Sequence, residues 1–402
     1  MTPIYLDYNA TTPVDPRVLE TMLPYFSEKF GNAASQTHSF GWIAEAAVEQ
    51  ARERAAKLIH ATPHEIVFTS GATEAINLAI KGVFENYKSK GNHIVTVSTE
   101  HKAVLDTCKY LEEKGAQVTY LPVNRDGLVD LDLLRESITE KTILVCVMFA
   151  NNETGVIQPI SEISKIVHEK GSIFMSDATQ AVGKIPVDVS PLSLGGGLPA
   201  GQAGDGPKDS YGGGGADLLC FSSHKIYGPK GVGALFIRRK DPRVTLSPLI
   251  HGGGHERGIR SGTLNVPGIV GLGKACEISE KEMGDDAQRI SELRNFLEQK
   301  LLGLKDIFVN GNTKHRLPNV TNLSFSGIKH HSVFEKLPDI AVSSGSACTS
   351  AIPAPSHVLK AMGISDEMAY ASIRISLGRF TTKEEIEIVV EKVKEKITEI
   401  RN

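Results

Sequence analysis

Ser222-Ser223-His224-Lys225-Ile226-Tyr227-Gly228-Pro229-Lys230-Gly231 is the stretch on which the fold turns. It follows Asp217-Leu-Leu-Cys-Phe221, an apolar run that reads as a buried strand, and it leads into a glycine-containing turn. A lysine at a strand end, flanked by hydroxyl and imidazole donors, has what a Schiff-base amine requires. The strand aims it, enclosure depresses its pKa, and the donors hold an anionic cofactor. Alone the pattern is weak, because lysines after strands are common and most are solvated.

Three other segments strengthen it. Ser172 to Ser176 reads as an apolar strand that ends on Asp177, with Gln180 one helical turn further on. Pyridoxal phosphate acts as an electron sink only while its ring nitrogen is protonated, and a buried carboxylate beside that nitrogen keeps it so. Gln180 is within reach of the ring's phenolic oxygen, and the ordinary alternative for Asp177 is a helix N-cap. Ile66-Val-Phe-Thr69 runs into Ser70-Gly71-Ala72-Thr73-Glu74, a strand, a small-residue turn and a helix start whose free N–H groups suit a single phosphate. It lacks the glycine and lysine spacing of nucleotide and dinucleotide loops. His101 in Thr99-Glu100-His101-Lys102 follows the strand His93 to Ser98, at the strand end where α/β enzymes place ligands. It is a candidate to stack on a pyridine ring and shuttle protons, with a structural histidine as the alternative.

Read in order, LDYNATTPVDP, SGATEA, TEHKAV, NNETGV, SDATQAVGK, SSHKIYGPKG, HGGGHERGIRSGT, SSGSACTS and SIRISLGRFT resemble the group I cysteine desulfurases of the NifS/IscS type, within the class V aminotransferase-like family. The resemblance runs from about residue 4 to residue 400, and SSGSACTS, which sets Cys348 among small residues, is its discriminating element. It implies a type I pyridoxal-phosphate-dependent transferase fold. A large domain over 15–266, with a mostly parallel seven-stranded sheet, is expected beside a smaller α+β domain formed by 1–14 and 267–402.

The resemblance also implies roles. Lys225 would carry pyridoxal 5'-phosphate, Asp177 would pair with its ring nitrogen, Gln180 with its phenolic oxygen, and His101 would stack on it. Ala72 would bind the cofactor, and Thr73, Ser222 and His224 would hold its phosphate, with Thr263 arriving from the partner subunit of a homodimer. Asn152, placed beside both cofactor and substrate, and Arg374 would orient L-cysteine, the guanidinium gripping its carboxylate in a bidentate fork. Cys348 would be the nucleophile that takes the sulfur as a persulfide, releasing L-alanine. A scaffold of the IscU/NifU type would then accept the sulfur for iron–sulfur cluster assembly, and tRNA thiolation is a further outlet. A selenocysteine or cystine lyase of the same fold and a silent scaffold are the competing readings. Retention of Lys225, Asp177 and Cys348 argues against the second.

The remaining features agree. The chain has 402 residues, 41% hydrophobic and 23% charged, as in ordinary globular proteins. A net charge of -3 gives no reason to expect nucleic acid or an anionic membrane as a partner. No run approaches a membrane span, and the five scattered cysteines lack a C-x-x-C pair, so a cytoplasmic setting is expected. His251-Gly-Gly-Gly-His255-Glu256 has histidine spacing that could suggest metal, but the three glycines argue against a shared helix face. Apolar runs at Ile66–Thr69, Ile94–Ser98, Val118–Leu121, Ile143–Phe149, Ile173–Ser176, Leu218–Phe221 and Gly233–Ile237 alternate with helical stretches, which predicts a covered parallel sheet. A long helical stretch is predicted from Pro267 to about Leu302. The last helix opens on the capping box Thr382-Lys-Glu-Glu385.

One departure from the family pattern stands out. SPLSLGGGLPAGQAGDGPKDSYGGGG, residues 190–215, intervenes where relatives have a short link. Its glycine, proline and serine content predicts a surface excursion without a core of its own. Loop lengthening by a few-fold costs only ~1–2 kcal/mol in closure entropy, so it need not unfold the domain.

Overall fold

The computed structural model describes residues 3–190, 215–327, 337–343 and 355–401. Twelve strands are described: β1 (Ile4–Tyr5), β2 (Ile66–Thr69), β3 (His93–Val97), β4 (Gln117–Leu121), β5 (Thr142–Cys146), β6 (Ile173–Asp177), β7 (Leu218–Ser222), β8 (Gly233–Ile237), β9 (Ile307–Val309), β10 (Val320–Phe325), β11 (Ile340–Ala341) and β12 (Ser372–Ser376). Seven form one sheet in the order β2-β8-β7-β6-β5-β3-β4. The pairs β3–β4, β3–β5, β5–β6 and β6–β7 are parallel, and β8 runs antiparallel to both of its neighbours.

The apolar runs predicted this sheet because its strands are covered on both faces. Successive residues alternate between two cores: Phe68, Val95, Val145, Phe174 and Leu219 face one, and Val67, Ile94, Leu144, Met175 and Leu218 face the other. Burying each such side chain contributes ~1.5–3 kcal/mol. Regular pairing in β5 stops at Cys146, short of the predicted Phe149. Beyond it the chain stays tied to β6, with Val147 N donating to Met175 O and Phe149 N to Asp177 O. That departure carries residues 150–152 over the sheet edge.

A second sheet has the order β12-β10-β9, and β1 pairs with β11 in parallel. Their core, with Leu323, Ile373 and Ile375, also takes Ile386, Val389, Val390, Val393 and Ile397 from the last helix, Lys383–Arg401. The capping box closes as its sequence predicts: Thr382 N donates to Glu385 Oε2 at 3.0 Å, and Glu385 N to Thr382 Oγ1 at 3.2 Å. A 37-residue helix, Val266–Leu302, carries buried residues of both the first core and this one. β9 was not foreseen, since its apolar run Ile307-Phe308-Val309 is only three residues long.

The long excursion leaves from between β6 and β7, and 191–214 lie outside the described residues. Its two roots meet at one guanidinium. Arg238 Nη2 donates to Val189 O at 2.6 Å and to Ala216 O at 2.7 Å, while Nε pairs with Asp217 Oδ1 at 3.0 Å. The other oxygen of buried Asp217 accepts from Phe174 N of β6 at 2.9 Å. The segment therefore departs and returns at one fixed point of the sheet.

Candidate active site

The carboxyl ends of β2, β3, β5, β6 and β7 lie along one edge of the large sheet, because β2 is antiparallel to β8, which is antiparallel to β7. In open α/β sheets ligands bind at that edge. Every strand end there leads into a residue singled out from sequence: Ala72 and Thr73 after β2, His101 after β3, Asn152 after β5, Asp177 and Gln180 at β6, and Ser222, His224 and Lys225 at β7.

Lys225 closes a short 3-10 turn after β7. Its Nζ donates to Asn9 O at 2.6 Å and to Ala10 O at 2.7 Å, so the N-terminal segment lies across the strand ends as a lid of main-chain oxygens. Asn9 is 1% exposed and ties the site together. Its carbonyl also accepts from Gln180 Nε2 at 3.0 Å, its Nδ2 donates to Asn152 O at 3.1 Å, and its N donates to Ser376 Oγ at 2.9 Å.

Asp177 stands on the neighbouring strand, in register with Cys220. Its Oδ1 accepts from Thr179 N at 2.9 Å, but turns and no helix follow, so the N-cap alternative is not realised; Cys220 Sγ approaches the same oxygen at 3.6 Å. His101 caps the helix Lys102–Glu112 through Nδ1, which accepts from Ala103 N at 3.1 Å. With Nδ1 an acceptor, the neutral ring carries its proton on Nε2. Burial lowers the His101 pKa, opposed by Asp177 and reinforced by Lys225, so these three side chains share one electrostatic neighbourhood.

Two further acids lie behind it. Glu100 is enclosed, and burial followed by the charge of Asp177 raises its carboxyl well above the usual range; Met148 N donates to its Oε1 at 2.5 Å. Burial also raises Glu153, whose Oε2 accepts from Ser356 Oγ at 2.5 Å.

A turn of small residues lies where the helix Ala72–Asn86 begins. Gly71 precedes it, and a Cβ there would lie 3.6 Å from Ser222 Oγ. A Cβ on Gly233 of β8 would come within 2.7 Å of Gly71 Cα, so this turn tolerates no side chain from the adjacent strand. Glu74 reaches back to Ser70 N at 2.7 Å and pairs with Arg260 at 2.9 Å, fixing the turn. His224 Nδ1 lies 3.1 Å from Thr11 Oγ1, and burial, then nearby lysines, push its pKa down to about 4. Thr263 lines a cavity of about 70 Å³ together with Ser70 of this turn and Arg260.

The donor set fits pyridoxal phosphate: small residues and free N–H groups at a helix start for the anion, a carboxylate on one strand and an amine on the next.

Arg374, in β12, is 4% exposed. Nη2 pairs with Asp7 at 2.7 Å, Nη1 donates to Asn152 O at 3.1 Å, and Nε has no partner among the described residues. Cys348 lies outside the described residues, as do all of 344–354. The residues on either side are held at the site. Ser343 and Arg374 exchange backbone hydrogen bonds at 2.7 and 3.2 Å, Ser356 meets Glu153, and His357 Nε2 lies 3.0 Å from Glu100 O. The four described cysteines are unpaired and buried, and burial raises each thiol pKa, Cys108 to about 12, which suits inert thiols. Glu256 of the histidine-glycine run is engaged by Arg52 at 2.8 Å and by Phe68 N at 3.0 Å.

Asn9, Asp7 and Lys184 are the residues that sequence reasoning passed over. The first two sit in LDYNATTP, a motif quoted for its resemblance but given no role.

The chain matches the aminotransferase class-V family over residues 4–194 and 212–389, so the interruption falls inside the excursion. It is 50% identical to a cysteine desulfurase IscS of Rickettsia massiliae, covering 99% of this chain and 92% of that one. Among solved structures it resembles a NifS-like protein with a TM-score of 0.86 and 39% identity, covering 98% and 99% of the two chains. It also resembles SspA, solved in complex with cysteine, with a TM-score of 0.77 and 35% identity over 94% and 100% of the chains.

Proposed function

The chain belongs to the aminotransferase class-V family, and on that premise we propose that it is a pyridoxal-phosphate-dependent cysteine desulfurase. It converts L-cysteine to L-alanine and retains the sulfur as a persulfide on Cys348. The observation that supports this most directly is the placement of His101, Asp177 and Lys225 at the carboxyl ends of β3, β6 and β7, along one edge of the sheet.

Ala72 would bind the cofactor, and Thr73, Ser222 and His224 would hold its phosphate, joined by Thr263 of a second copy. Asp177 would keep the ring nitrogen protonated, Gln180 would donate to the phenolic oxygen, and Lys225 would bond the carbonyl carbon. When bound, the cofactor supplies an electron sink conjugated to the substrate Cα.

Arg374 keeps one N–H on each terminal nitrogen beyond those given to Asp7 and Asn152 O, a pair suited to the substrate carboxylate. Asn152 orients the substrate beside it. Lys225 Nζ takes the Cα proton. His101 holds a proton at Nε2 and supplies the substrate sulfur and ring system with a donor. Cys348 Sγ, as thiolate, attacks the substrate sulfur: the S–S bond forms, the C–S bond breaks, and its electron pair goes to Cβ. Protonation at Cβ and return of a proton from Lys225 to Cα yield L-alanine. The persulfide sulfur then passes to a scaffold protein for iron–sulfur cluster assembly, with tRNA thiolation as another outlet. The scattered, unpaired thiols favour a reducing, cytoplasmic setting. Among the described residues no helix is long and apolar enough to cross a membrane.

The deciding experiment is the visible spectrum of the purified protein before and after L-cysteine, with mass spectrometry of the peptide carrying Cys348. A cofactor band that changes on mixing, together with the mass of one added sulfur on Cys348, is expected. Alanine formed with no sulfur on that peptide would overturn the assignment.

A further inference from the structure

Lys184 belongs to none of the roles above, yet its amine reaches the centre of the site. It follows Gln180 by four residues in the turns after β6. Lys184 Nζ donates to Gln180 Oε1 at 2.6 Å and to Asn9 Oδ1 at 3.0 Å. Both partners are amide oxygens; among the described residues no carboxylate pairs with this lysine. The amine lies beside a cavity of about 30 Å³ lined also by Tyr8, Thr12, Tyr227 and Asn319.

We propose that Lys184 is a positioning residue that fixes which end of the Gln180 amide faces the cofactor's phenolic oxygen. This rests on the pyridoxal-phosphate reading of the site. A side-chain amide has one accepting end and one donating end, and its neighbours decide which way it lies. Here the oxygen of Gln180 meets the donating lysine, and its Nε2 gives one hydrogen to Asn9 O at 3.0 Å. The second Nε2 hydrogen stays available for an anionic oxygen. The reversed amide would set N–H against the lysine N–H and oxygen against the Asn9 carbonyl, two repulsive contacts, and would present an acceptor to the cofactor. Asn9 is fixed in the same manner, since Asn319 Nδ2 also donates to its Oδ1 at 2.9 Å. Burial, followed by the charges of Lys225 and Arg374, holds the Lys184 amine well below the usual lysine range. A neutral amine still carries two hydrogens, one for each oxygen; it can also accept, and in that state it is the Asn9 carbonyl that disfavours the reversed amide.

The test is the pH titration of the visible band of the bound cofactor, in the absence of substrate. Lys184→Met keeps the aliphatic stem and removes the donor. Without an ordered Gln180 donor the phenolic charge is less stabilised, and the lysine–cofactor linkage retains its proton to higher pH. The midpoint is expected to rise by about one pH unit, the size of one hydrogen bond to a charged group. Gln180→Ala should raise it equally, the double variant no further than either alone, and Lys184→Gln should restore most of the shift by offering an N–H. Far-ultraviolet circular dichroism of the apo-proteins identifies a variant that fails to fold, in which case Lys184→Gln against Gln180→Ala carries the comparison. An unchanged midpoint in Lys184→Met, or a full additional shift on top of Gln180→Ala, would overturn the proposal. Wild-type protein with no visible band would instead overturn the cofactor reading beneath it.

Discussion

Arg374 and Asp7 are joined across almost the whole sequence by an ion pair of 2.7 Å, with the guanidinium buried and the carboxylate side chain 20% exposed. The pair sets the guanidinium plane before any substrate arrives. A planar fork held in this way can grip a carboxylate through two parallel N–H groups, which the point charge of a lysine cannot do. Arg374→Lys is expected to raise KM for L-cysteine by about tenfold or more, equivalent to ~1.4 kcal/mol, while the cofactor band stays intact. Steady-state kinetics beside the spectrum checks this.

Lys225→Ala removes the amine proposed to take the Cα proton and to bond the cofactor. Loss of the bound visible band and a fall in alanine production by about three orders of magnitude or more, ~4 kcal/mol, are expected. Turnover at the wild-type rate would refute the role of this lysine.

Cys348→Ser keeps the cofactor pocket and removes the sulfur acceptor. The variant should bind L-cysteine, shown by a spectral change on mixing, and form no persulfide by mass spectrometry of the Cys348 peptide. Full sulfide release without a persulfide stage would point to another chemistry.

Glu100 provides a pH test. Burial, then Asp177, raises its carboxyl well above the ordinary 4.5, so the folded state favours the protonated form. The folded protein then binds more protons than the unfolded one above pH 4.5, and stability from this group is lost as pH rises through its folded value. Glu100→Gln keeps an acceptor for Met148 N without that loss. It should match the wild type in acid and equal or exceed it above neutrality in denaturant unfolding. Glu100→Ala leaves a buried N–H unpaired and should cost ~1–3 kcal/mol throughout.

Deleting Leu192–Gly213 should leave kcat/KM within about threefold of wild type, ~0.7 kcal/mol, because both roots stay on Arg238 and β7 keeps its register with β6. A collapse of activity with the fold intact would make the excursion part of the working enzyme.

The elements of the large sheet and most of the site were legible because each is local. A strand reads as an apolar run, and Lys225, Asp177 and His101 each follow one directly. The contributions of Asn9, Asp7 and Lys184 were not legible, since they depend on where the N-terminal segment lies over strand ends 140 or more positions away. Gln180 was read as a donor, but what orients its amide comes from tertiary packing. The length and composition of 190–215 announced an excursion, whereas the single guanidinium joining its roots required the assembled sheet.

The amine of Lys225 is met by two oxygens of the polypeptide itself, those of Asn9 and Ala10. No codon change at position 9 or 10 can delete such an acceptor, so drift in that segment spares the lysine's berth so long as the main chain keeps its path. Only rerouting, by shortening the segment or kinking it with proline, would vacate it.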